Sequence, residues 1–268
     1  MKIHFYKYHG TGNDFIIIDD RNMRIKSPGK KLASALCDRR FGIGADGLMF
    51  LRKQQGYDFR MVYYNSDGKE SSMCGNGGRC IVAFAKQTGI LRGKEASFIA
   101  MDGVHKAILF NNKWEREMKI RLQMSDVGNI LEENEGCVMD TGSPHLVQFV
   151  NDILEKDVTR EGRAIRNSAL FKKKGINVNF VQEEQGRIFV RTYERGVEAE
   201  TLSCGTGVIA AALASAYAGL IKTGTQNKVR VSTLGGELLV CFQKKGSGFM
   251  DIWLEGPATF VFKGEVNV

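Results

Sequence analysis

Alternation of apolar and polar residues along the chain predicts short strands, and two longer apolar stretches predict helices. The predicted strands fall into two sets, at 16–19, 48–52 and 59–64 and again at 146–150, 177–182 and 188–193. The predicted helices cover 79–87 and 208–218, and a glycine follows each in the position of a C-terminal cap, Gly89 or Gly219. The second helix is apolar on nearly every face, which indicates that the rest of the fold encloses it.

The second set of elements repeats the first when residue n is aligned with residue n + 130. A repeat of this length has the size of a domain, so the chain is predicted to consist of two similar halves. We expect an N-terminal half over 1–120, to which a strand over 258–268 returns, and a C-terminal half over 121–257. Strands before and after each helix indicate mixed sheets wrapped around a central helix. The aligned identities include Thr11-Gly12 with Thr141-Gly142, Tyr63 with Tyr193, Cys74-Gly75 with Cys204-Gly205, and Gly77 with Gly207.

A cysteine opens each predicted helix, in Ser-Ser-Met-Cys-Gly-Asn-Gly around Cys74 and in Thr-Leu-Ser-Cys-Gly-Thr-Gly around Cys204. The positive end of a helix dipole stabilises a thiolate and lowers the thiol pKa. The N–H groups of the first turn can bind a carboxylate, and the glycines let it approach the backbone. Two such units facing each other would invert an amino-acid α-carbon, because one thiolate removes the α-proton while the opposite thiol protonates the other face. N–H groups on the carboxylate would stabilise the enediolate-like charge.

Two other interpretations of these cysteines stay open. A single Cys-Gly-x-Gly is compatible with a tight turn and a buried cysteine, and only its recurrence in the repeat favours a functional pair. Cys74 and Cys204 could also form a redox disulfide, which we expect only as an inactive oxidised form. The other four cysteines are expected to be small buried side chains, namely Cys37, Cys80, Cys137 and Cys241.

Composition narrows the possible partners. The net charge is +8, but basic residues are scattered, apart from the run Lys172-Lys173-Lys174, and aromatic residues are not interleaved with them. The longest apolar run, 207–221, is shorter than the roughly 20 residues of a membrane span. Neither a Cys-x-x-Cys pair nor a nearby histidine indicates a zinc site. We predict no cofactor, no metal, no nucleic acid, no membrane and, without an apolar N-terminal leader, a cytoplasmic location.

The motifs resemble those of the diaminopimelate epimerase family over essentially the whole chain. The resemblance implies the α/β class, with two pseudo-symmetric domains, each a mixed, mostly antiparallel sheet or barrel around a central helix. It implies a cofactor-independent homodimeric enzyme with a small-molecule amino-acid substrate, which interconverts LL- and meso-2,6-diaminopimelate for lysine and peptidoglycan biosynthesis. The motifs are His-Gly-Thr-Gly-Asn-Asp-Phe at 9–15, Gly-Ile-Gly-Ala-Asp-Gly at 42–47, Asn-Ser-Asp-Gly at 65–68, Met-Cys-Gly-Asn-Gly-Gly-Arg-Cys at 73–80, Gly-Ser-Pro-His at 142–145, Asn177, Tyr-Glu-Arg-Gly at 193–196 and Cys-Gly-Thr-Gly at 204–207.

The resemblance also assigns site residues. Cys74 would be the protonated donor and Cys204 the acceptor base in one direction, with the roles exchanged in reverse. His145 and Glu194 stand where the family keeps functional residues, although His145 could merely satisfy a loop carbonyl. Arg195 could clamp a distal carboxylate or form a surface ion pair with Glu194. The implied substrate-binding positions are Asn13, Asn65, Gly75, Asn76, Ser143, Asn177, Glu194, Arg195, Gly205 and Thr206.

Two positions depart from the family pattern. The family usually has asparagine where Ser143 stands, and often glutamine or glycine where Gly47 stands. Serine is shorter and lacks the amide donor, so either a water bridges the gap or recognition of the distal end differs. Two alternatives therefore remain: a racemase for another amino acid, such as histidine, and a non-enzymatic binding protein of the same fold.

Overall fold

A computed structural model of the chain describes residues 1–25, 29–133, 136–221 and 227–268. The chain forms two compact units. The first unit combines Met1–Leu122 with Gly256–Val268, and the second contains Gln123–Glu255. The last strand, Gly248–Asn267, contributes its first part to the second unit and its remainder to the first.

In the first unit, the strands close into a barrel. Neighbours pair in the order β1-β2-β3-β4-β6-β7-β8, and the last strand of the chain pairs with both β8 and β1. The pairs β2–β3 and β4–β6 are parallel and the others are antiparallel. The elements are β1 (Lys2–Gly10), β2 (Asn13–Asp19), α1 (Lys30–Cys37), β3 (Gly47–Arg52), β4 (Phe59–Asn65), β5 (Glu70–Ser71), α2 (Gly75–Gln87), β6 (Glu95–Ala100), β7 (Gly103–Leu109) and β8 (Glu117–Gln123).

The second unit repeats this arrangement. Its strands pair in the order β9-β10-β11-β12-β13-β15-β16-β17, with β11–β12 and β13–β15 parallel. A bridge between Val127 and Phe249 joins the start of the unit to β17. The elements are β9 (Leu131–Glu133), β10 (Gly136–Asp140), β11 (Pro144–Phe149), α3 (Val158–Arg166), β12 (Asn177–Glu184), β13 (Arg187–Glu194), β14 (Ala199–Thr201), α4 (Gly205–Tyr217), β15 (Lys228–Thr233), β16 (Gly236–Lys245) and β17 (Gly248–Asn267).

The internal repeat extends to the strand register. Adding 130 to the bounds of α2 reproduces those of α4. In the first unit Phe15 pairs with Gly47, and in the second His145 pairs with Asn177, which are the positions 130 residues later. The two units therefore share an internal topology as well as a motif, and the predicted α/β class of two pseudo-symmetric, strand-rich domains is confirmed.

α2 and α4 are the central helices of their units. Residues 75–86 of α2 and 207–215 of α4 are buried, because strands pack against these helices on several sides. Each helix ends as predicted: Gly89 and Gly219 have φ values of 74° and 71°. The residue after each glycine donates to the carbonyl five positions earlier at 3.0 Å, which closes the cap.

Both helices begin a few residues before the predicted starts at 79 and 208. Their first turns contain glycine, which has a low helix propensity and carries no apolar signal. In the described part of the chain, no helix combines the length and apolarity needed to cross a membrane.

Candidate active site

In the first unit, the predicted site residues lie together at one edge of the sheet. Asn13 begins β2, Gly47 begins β3, Asn65 ends β4, and Cys74 directly precedes α2. Since β2 and β3 run parallel and β4 runs antiparallel to them, these strand ends meet on the same side.

The second unit places its predicted residues in the same way. Ser143 directly precedes β11, Asn177 begins β12, Glu194 ends β13 and Cys204 directly precedes α4. The β11–β12 pair is parallel and β13 is antiparallel to β12, so these positions also share one edge. Each unit therefore brings its predicted site residues together around one cysteine.

Cys74 and Cys204 are the N-cap residues of α2 and α4. Their backbones are extended, with φ and ψ of −95° and 136° at Cys74 and −108° and 112° at Cys204. Each cysteine carbonyl accepts the first helical hydrogen bond, from Gly78 N at 2.7 Å and from Val208 N at 2.8 Å. Neither sulfur caps its helix, and neither first turn contains an acidic residue. The first-turn N–H groups, which include those of residues 75, 76, 205 and 206, have no intrahelical partner and suit an anion.

Asn13 joins the Cys74 thiol to the first turn of α2. The Cys74 thiol donates to Asn13 Oδ1 at 3.7 Å, and Asn76 Nδ2 donates to the same oxygen at 3.4 Å. Asn13 Nδ2 in turn donates to Asp46 Oδ2 at 2.6 Å. Because a carboxylate only accepts hydrogen bonds, Asp46 sets the orientation of the Asn13 amide and turns its oxygen towards Cys74.

An ion network holds Asp46 in place. Arg39 Nη2 lies 2.7 Å from a carboxylate oxygen of both Asp14 and Asp46, and Lys7 Nζ lies 2.7 Å from Asp14. Burial alone would raise the pKa of Asp14, but hydrogen bonds from Arg39 and Lys7 outweigh burial and lower it to about 2. Asp14 therefore stays charged at neutral pH, and the starts of β2 and β3 remain joined.

Asn65 and Gly47 occupy the adjacent strand ends. The Asn65 carbonyl accepts from Gly68 N at 2.8 Å, which closes the predicted turn, and Ser66 N donates to the Asp46 carbonyl at 3.0 Å. A Cβ atom at residue 47 would lie 2.4 Å from Tyr63 Cε2. The tyrosine ring thus occupies the space that a side chain at this position would need, which accounts for glycine there.

Three polar side chains lie beside Cys204. Thr206 Oγ1 is 3.5 Å from the Cys204 sulfur, 2.9 Å from His145 Nε2 and 3.2 Å from Ser143 Oγ. Ser143 Oγ lies 2.9 Å from His145 Nε2. Despite its short side chain, Ser143 reaches both neighbours directly.

The tautomer of His145 follows from its contact with Asn179. Asn179 Nδ2 donates to the Leu146 carbonyl at 3.0 Å and lies 3.1 Å from His145 Nδ1, and Asn179 Oδ1 accepts from Thr192 Oγ1 at 2.9 Å. A carbonyl accepts only, so the NH2 end of the amide faces His145 and Nδ1 must be the acceptor. The imidazole proton is therefore on Nε2, which faces Ser143 and Thr206.

His145 is fully buried. Burial, with a smaller contribution from the charge of Arg195, lowers its pKa to about 3. With the proton on Nε2, His145 can donate to the Thr206 hydroxyl and leave the hydroxyl hydrogen to point towards the Cys204 sulfur. This geometry suits His145 to orienting hydroxyl groups rather than to exchanging protons with a substrate.

Asn177 is engaged at both ends of its amide. Its Nδ2 donates to Ser143 Oγ at 3.1 Å and to the Pro144 carbonyl at 3.2 Å, and its Oδ1 accepts from Arg195 N at 2.8 Å. The exposed Arg195 guanidinium donates to the Lys174 carbonyl at 3.0 Å. Asn177 thus ties the loop before β11 to the turn after β13, and Glu194 lies half-buried at the start of that turn.

The structure adds residues that the sequence analysis did not assign. Asp46 and Arg79 lie within the quoted motifs, but nothing in their spacing indicated which neighbours they contact. Asn179 had a usable signal, because it follows Asn177 by two positions in the same strand and side chains two positions apart face the same side of a sheet. None of the six cysteines forms a disulfide, and the described residues contain no group of three or more His, Cys, Asp or Glu side chains arranged to hold a metal ion.

Comparison with solved structures shows a shared fold. A phenazine biosynthesis protein of the PhzF family from Bacillus anthracis has a TM-score of 0.78 at 15% identity, with 100% of both chains covered. A hydroxyproline epimerase from Agrobacterium vitis has a TM-score of 0.69 at 14% identity, with 99% of this chain and 92% of that chain covered.

Comparison of sequences is more specific. The family model described as diaminopimelate epimerase matches residues 5–125 and 137–261. A diaminopimelate epimerase from Flavobacterium psychrophilum is 49% identical, with 96% of this chain and 98% of the relative covered. One from Chlorobaculum tepidum is 42% identical, with 97% and 99% covered. The chain, with a cysteine at the N-cap position of the central helix in each half, therefore belongs to the diaminopimelate epimerase family.

Proposed function

We propose that this chain is a cofactor-independent diaminopimelate epimerase. It interconverts LL- and meso-2,6-diaminopimelate by proton transfer at one α-carbon, with Cys74 and Cys204 as the two acid–base groups. Family membership supports the substrate. The observation that carries the mechanism is the pair of N-cap cysteines at equivalent positions, each on a buried helix without an acidic first turn.

The surroundings of the two sulfurs support different resting protonation states. Cys74 donates to Asn13 Oδ1, a contact that favours the protonated thiol. Cys204 lies beside the Thr206 hydroxyl, whose orientation by His145 favours a sulfur that accepts a hydrogen bond. In one direction Cys204 takes the α-proton and leaves the electron pair on the α-carbon, and Cys74 then protonates that carbon from the other face. In the reverse direction the roles are exchanged.

The first-turn N–H groups of the two helices would hold the reacting carboxylate and stabilise the negative charge that develops on it. The residues assigned to this end of the substrate are Asn13, Gly75, Asn76, Gly205 and Thr206.

Distal recognition rests on the exposed Arg195, which would leave the Lys174 carbonyl to clamp the second carboxylate with two hydrogen bonds. Asn65 and Glu194 would hold the distal ammonium group. Asn177 and Ser143 would act on this end chiefly by positioning, because Asn177 already connects Ser143 with the backbone of Arg195.

The decisive test is isotope exchange in D2O under reducing conditions. LL-Diaminopimelate should give meso product whose first-formed molecules carry a single deuterium, at the newly inverted α-carbon. Lysine, which lacks the distal carboxylate, and histidine serve as matched comparison substrates and should exchange far more slowly. Exchange of histidine without exchange of diaminopimelate would replace the proposal with the racemase alternative, and no exchange of any substrate would favour a binding protein.

The proposed function also includes the compartment, the oligomeric state and the partners of the enzyme. We infer a cytoplasmic homodimer that acts on a small amino acid and binds neither nucleic acid nor membrane. The six cysteines form no disulfide, which agrees with a reducing compartment. Light scattering coupled to gel filtration should give twice the chain mass of 29.8 kDa, and a monomer mass would contradict the dimer.

A further inference from the structure

We propose that Arg79, whose guanidinium is buried beside the first turn of α2, is a positioning residue that favours the thiolate of Cys74 and orients the side chain of Asn76. The inference rests on the proposed function, because it concerns the acid–base role of Cys74. The equivalent position in the second unit is the apolar Ile209.

Arg79 is a fully buried cation whose hydrogen-bond acceptors are all neutral. Its Nε donates to the Pro257 carbonyl and its Nη1 to the Gly75 carbonyl, both at 3.2 Å. Its Nη2 donates to Asn76 Oδ1 at 2.9 Å and to Thr11 Oγ1 at 3.4 Å. Among the described residues of the first unit, no aspartate or glutamate forms an ion pair with it. A buried charge is costly unless another charge compensates it.

The position of Arg79 makes this cost larger. It is the fifth residue of α2, close to the positive end of the helix dipole, where an anion rather than a cation is favoured. Burial lowers the pKa of the guanidinium, and negative charge on the cysteine sulfurs of Cys80 and Cys74 raises it. Arg79 Nη1 contacts the carbonyl of Gly75, the residue next to Cys74, so the positive charge lies close enough to favour a negative sulfur at Cys74.

Cys80 does not provide the compensating charge. It is fully buried, and burial raises the pKa of its thiol far above the usual range. Cys74, in contrast, is half-buried and directly precedes the helix. The sulfur that can carry a negative charge near Arg79 is therefore that of Cys74.

Arg79 also sets the direction of the Asn76 amide. A guanidinium only donates hydrogen bonds, so it selects the oxygen of the amide, and the Asn76 Nδ2 group is turned towards Asn13. Gly10 leaves the necessary room, because a Cβ atom there would lie 3.1 Å from the Asn76 carbonyl oxygen and 3.3 Å from Arg79 Nη2. At the other end of this chain of amides, Asp46 fixes Asn13. The Asn13 oxygen that accepts from the Cys74 thiol is thus held from both sides. Asn13 favours the protonated thiol with which Cys74 starts, and the guanidinium charge stabilises the thiolate that forms when Cys74 gives its proton to the substrate.

The other charged groups around this part of the unit are already paired. Asp102, which accepts from Met73 N at 3.1 Å, lies 3.2 Å from His105 Nε2. The network at the starts of β2 and β3 consists of Lys7, Asp14, Arg39 and Asp46. These partners leave Arg79 as the buried cation without a carboxylate at the N-terminal end of α2.

The test is alkylation of Cys74 by iodoacetamide between pH 5 and pH 10, without substrate, with Cys74 quantified by mass spectrometry of its peptide. Wild type should show a midpoint below the ordinary thiol value of about 8.5. Arg79→Gln should raise the midpoint by about one pH unit or more, which corresponds to a roughly tenfold slower reaction at pH 7. Arg79→Lys keeps the charge without the planar fork and should retain most of the effect.

Lys86→Met is the matched control. Lys86 is also a buried cation of α2 with neutral acceptors, the carbonyls of Arg92 and Gly93 and Asn112 Oδ1, all at 3.0 Å. It follows Cys74 by twelve residues, about 18 Å at about 1.5 Å per residue. Its removal should leave the alkylation midpoint unchanged while imposing a similar loss of a buried contact.

An unchanged midpoint in folded Arg79→Gln would overturn the proposal. If this variant does not fold, as judged by circular dichroism, the wild-type and Arg79→Lys midpoints decide, and a wild-type value at or above the ordinary one overturns it. The alkylation profile is measured without substrate, so its outcome does not depend on whether the chain epimerises diaminopimelate. If the chain does not epimerise diaminopimelate but the alkylation midpoints of wild type and Arg79→Gln differ as expected, the proposed function is contradicted and the role of Arg79 stands.

Discussion

Asn179 donates a hydrogen bond to Nδ1 of His145 and thereby places the imidazole proton on Nε2. The Asn179 side chain lies in space that a glycine leaves open, because a Cβ atom at residue 207 would lie 2.4 Å from Asn179 Oδ1. Gly207, which follows Thr206 in Cys-Gly-Thr-Gly, thus leaves the space in which Asn179 can contact His145, in addition to forming part of the first turn of α4.

The protonation state of His145 is the first prediction. Its pKa of about 3 means that the imidazole stays neutral, as the Nε2–H tautomer, from pH 8 down to pH 5. Nitrogen-15 NMR of labelled histidine should show one acceptor-type and one protonated ring nitrogen for His145 over this range. The three other histidines provide internal comparisons. An imidazolium signal at pH 6 would contradict the prediction.

The second prediction concerns how His145 changes the free energy of unfolding at acid pH. The folded-state pKa of His145 lies below the unfolded value of about 6.5. Between the two pKa values, the imidazole is protonated in the unfolded chain and neutral in the folded chain. This contribution to the free energy of unfolding is therefore lost as the pH falls from about 6.5 towards 3, by up to about 1.4 kcal/mol per pH unit. Urea unfolding of wild type and of His145→Asn at pH 7, 5.5 and 4.5 measures it. An equal slope in both proteins would contradict it.

Gly207→Ala should destabilise the second unit. The new methyl group would displace the Asn179 amide, and overpacking of this kind costs about 1–3 kcal/mol. The control is Gly77→Ala at the equivalent position of the first unit, where the Cβ would meet Met49 Sδ at an ordinary 3.4 Å. Alanine is also the better helix former there. Thermal unfolding should show a lower midpoint for Gly207→Ala and an unchanged or higher one for Gly77→Ala. Similar midpoints would count against the packing argument.

Removal of the thiol of either N-cap cysteine, Cys74 or Cys204, should stop epimerisation. Cys74→Ala and Cys204→Ala each remove one of the two acid–base groups, and we expect kcat to fall at least about 10²–10⁴-fold. Substitution of the buried Cys241 is the control and should leave kcat nearly unchanged. Rates with LL- and with meso-diaminopimelate under reducing conditions provide the measurement. Full activity in Cys204→Ala would exclude the two-base scheme.

Arg195→Met should weaken binding of diaminopimelate specifically. Hydrogen bonds to a charged group contribute about 1.5–3 kcal/mol, so KM should rise roughly 10- to 100-fold. Any residual exchange of lysine, which has no distal carboxylate, should be unaffected. An equal loss for both substrates would indicate a structural role, such as the contact with the Lys174 carbonyl.

Much of this architecture could be predicted because its signals are local or repeated. The six strands at the site and both central helices carry strong apolar patterns, and the alignment of Cys74 with Cys204 marked the same point in both halves. The glycine caps could be predicted from local sequence too, because glycine is the residue that most readily adopts the positive φ found at residues 89 and 219.

What the sequence could not supply are contacts between positions far apart along the chain. Arg79 contacts the Pro257 carbonyl, 178 residues away, and Asn179 on β12 contacts His145 on the neighbouring strand β11, 34 residues away. α1 and α3 were not predicted, because they are short and lack a long apolar stretch. The tautomer of His145 depends on which end of an amide faces it, and no pattern of residue types encodes that choice.

The closing of the first barrel by the end of β17 has a consequence for protein synthesis. Residues 256–267 pair with both β1 and β8, yet the ribosome makes them after all the other strands of both units. All residues of the second unit are made before them, although it comes later in the chain. The second unit can therefore be completed before the first, and a chain that stopped before residue 256 would contain all residues of the second unit but lack the strand that closes the first barrel.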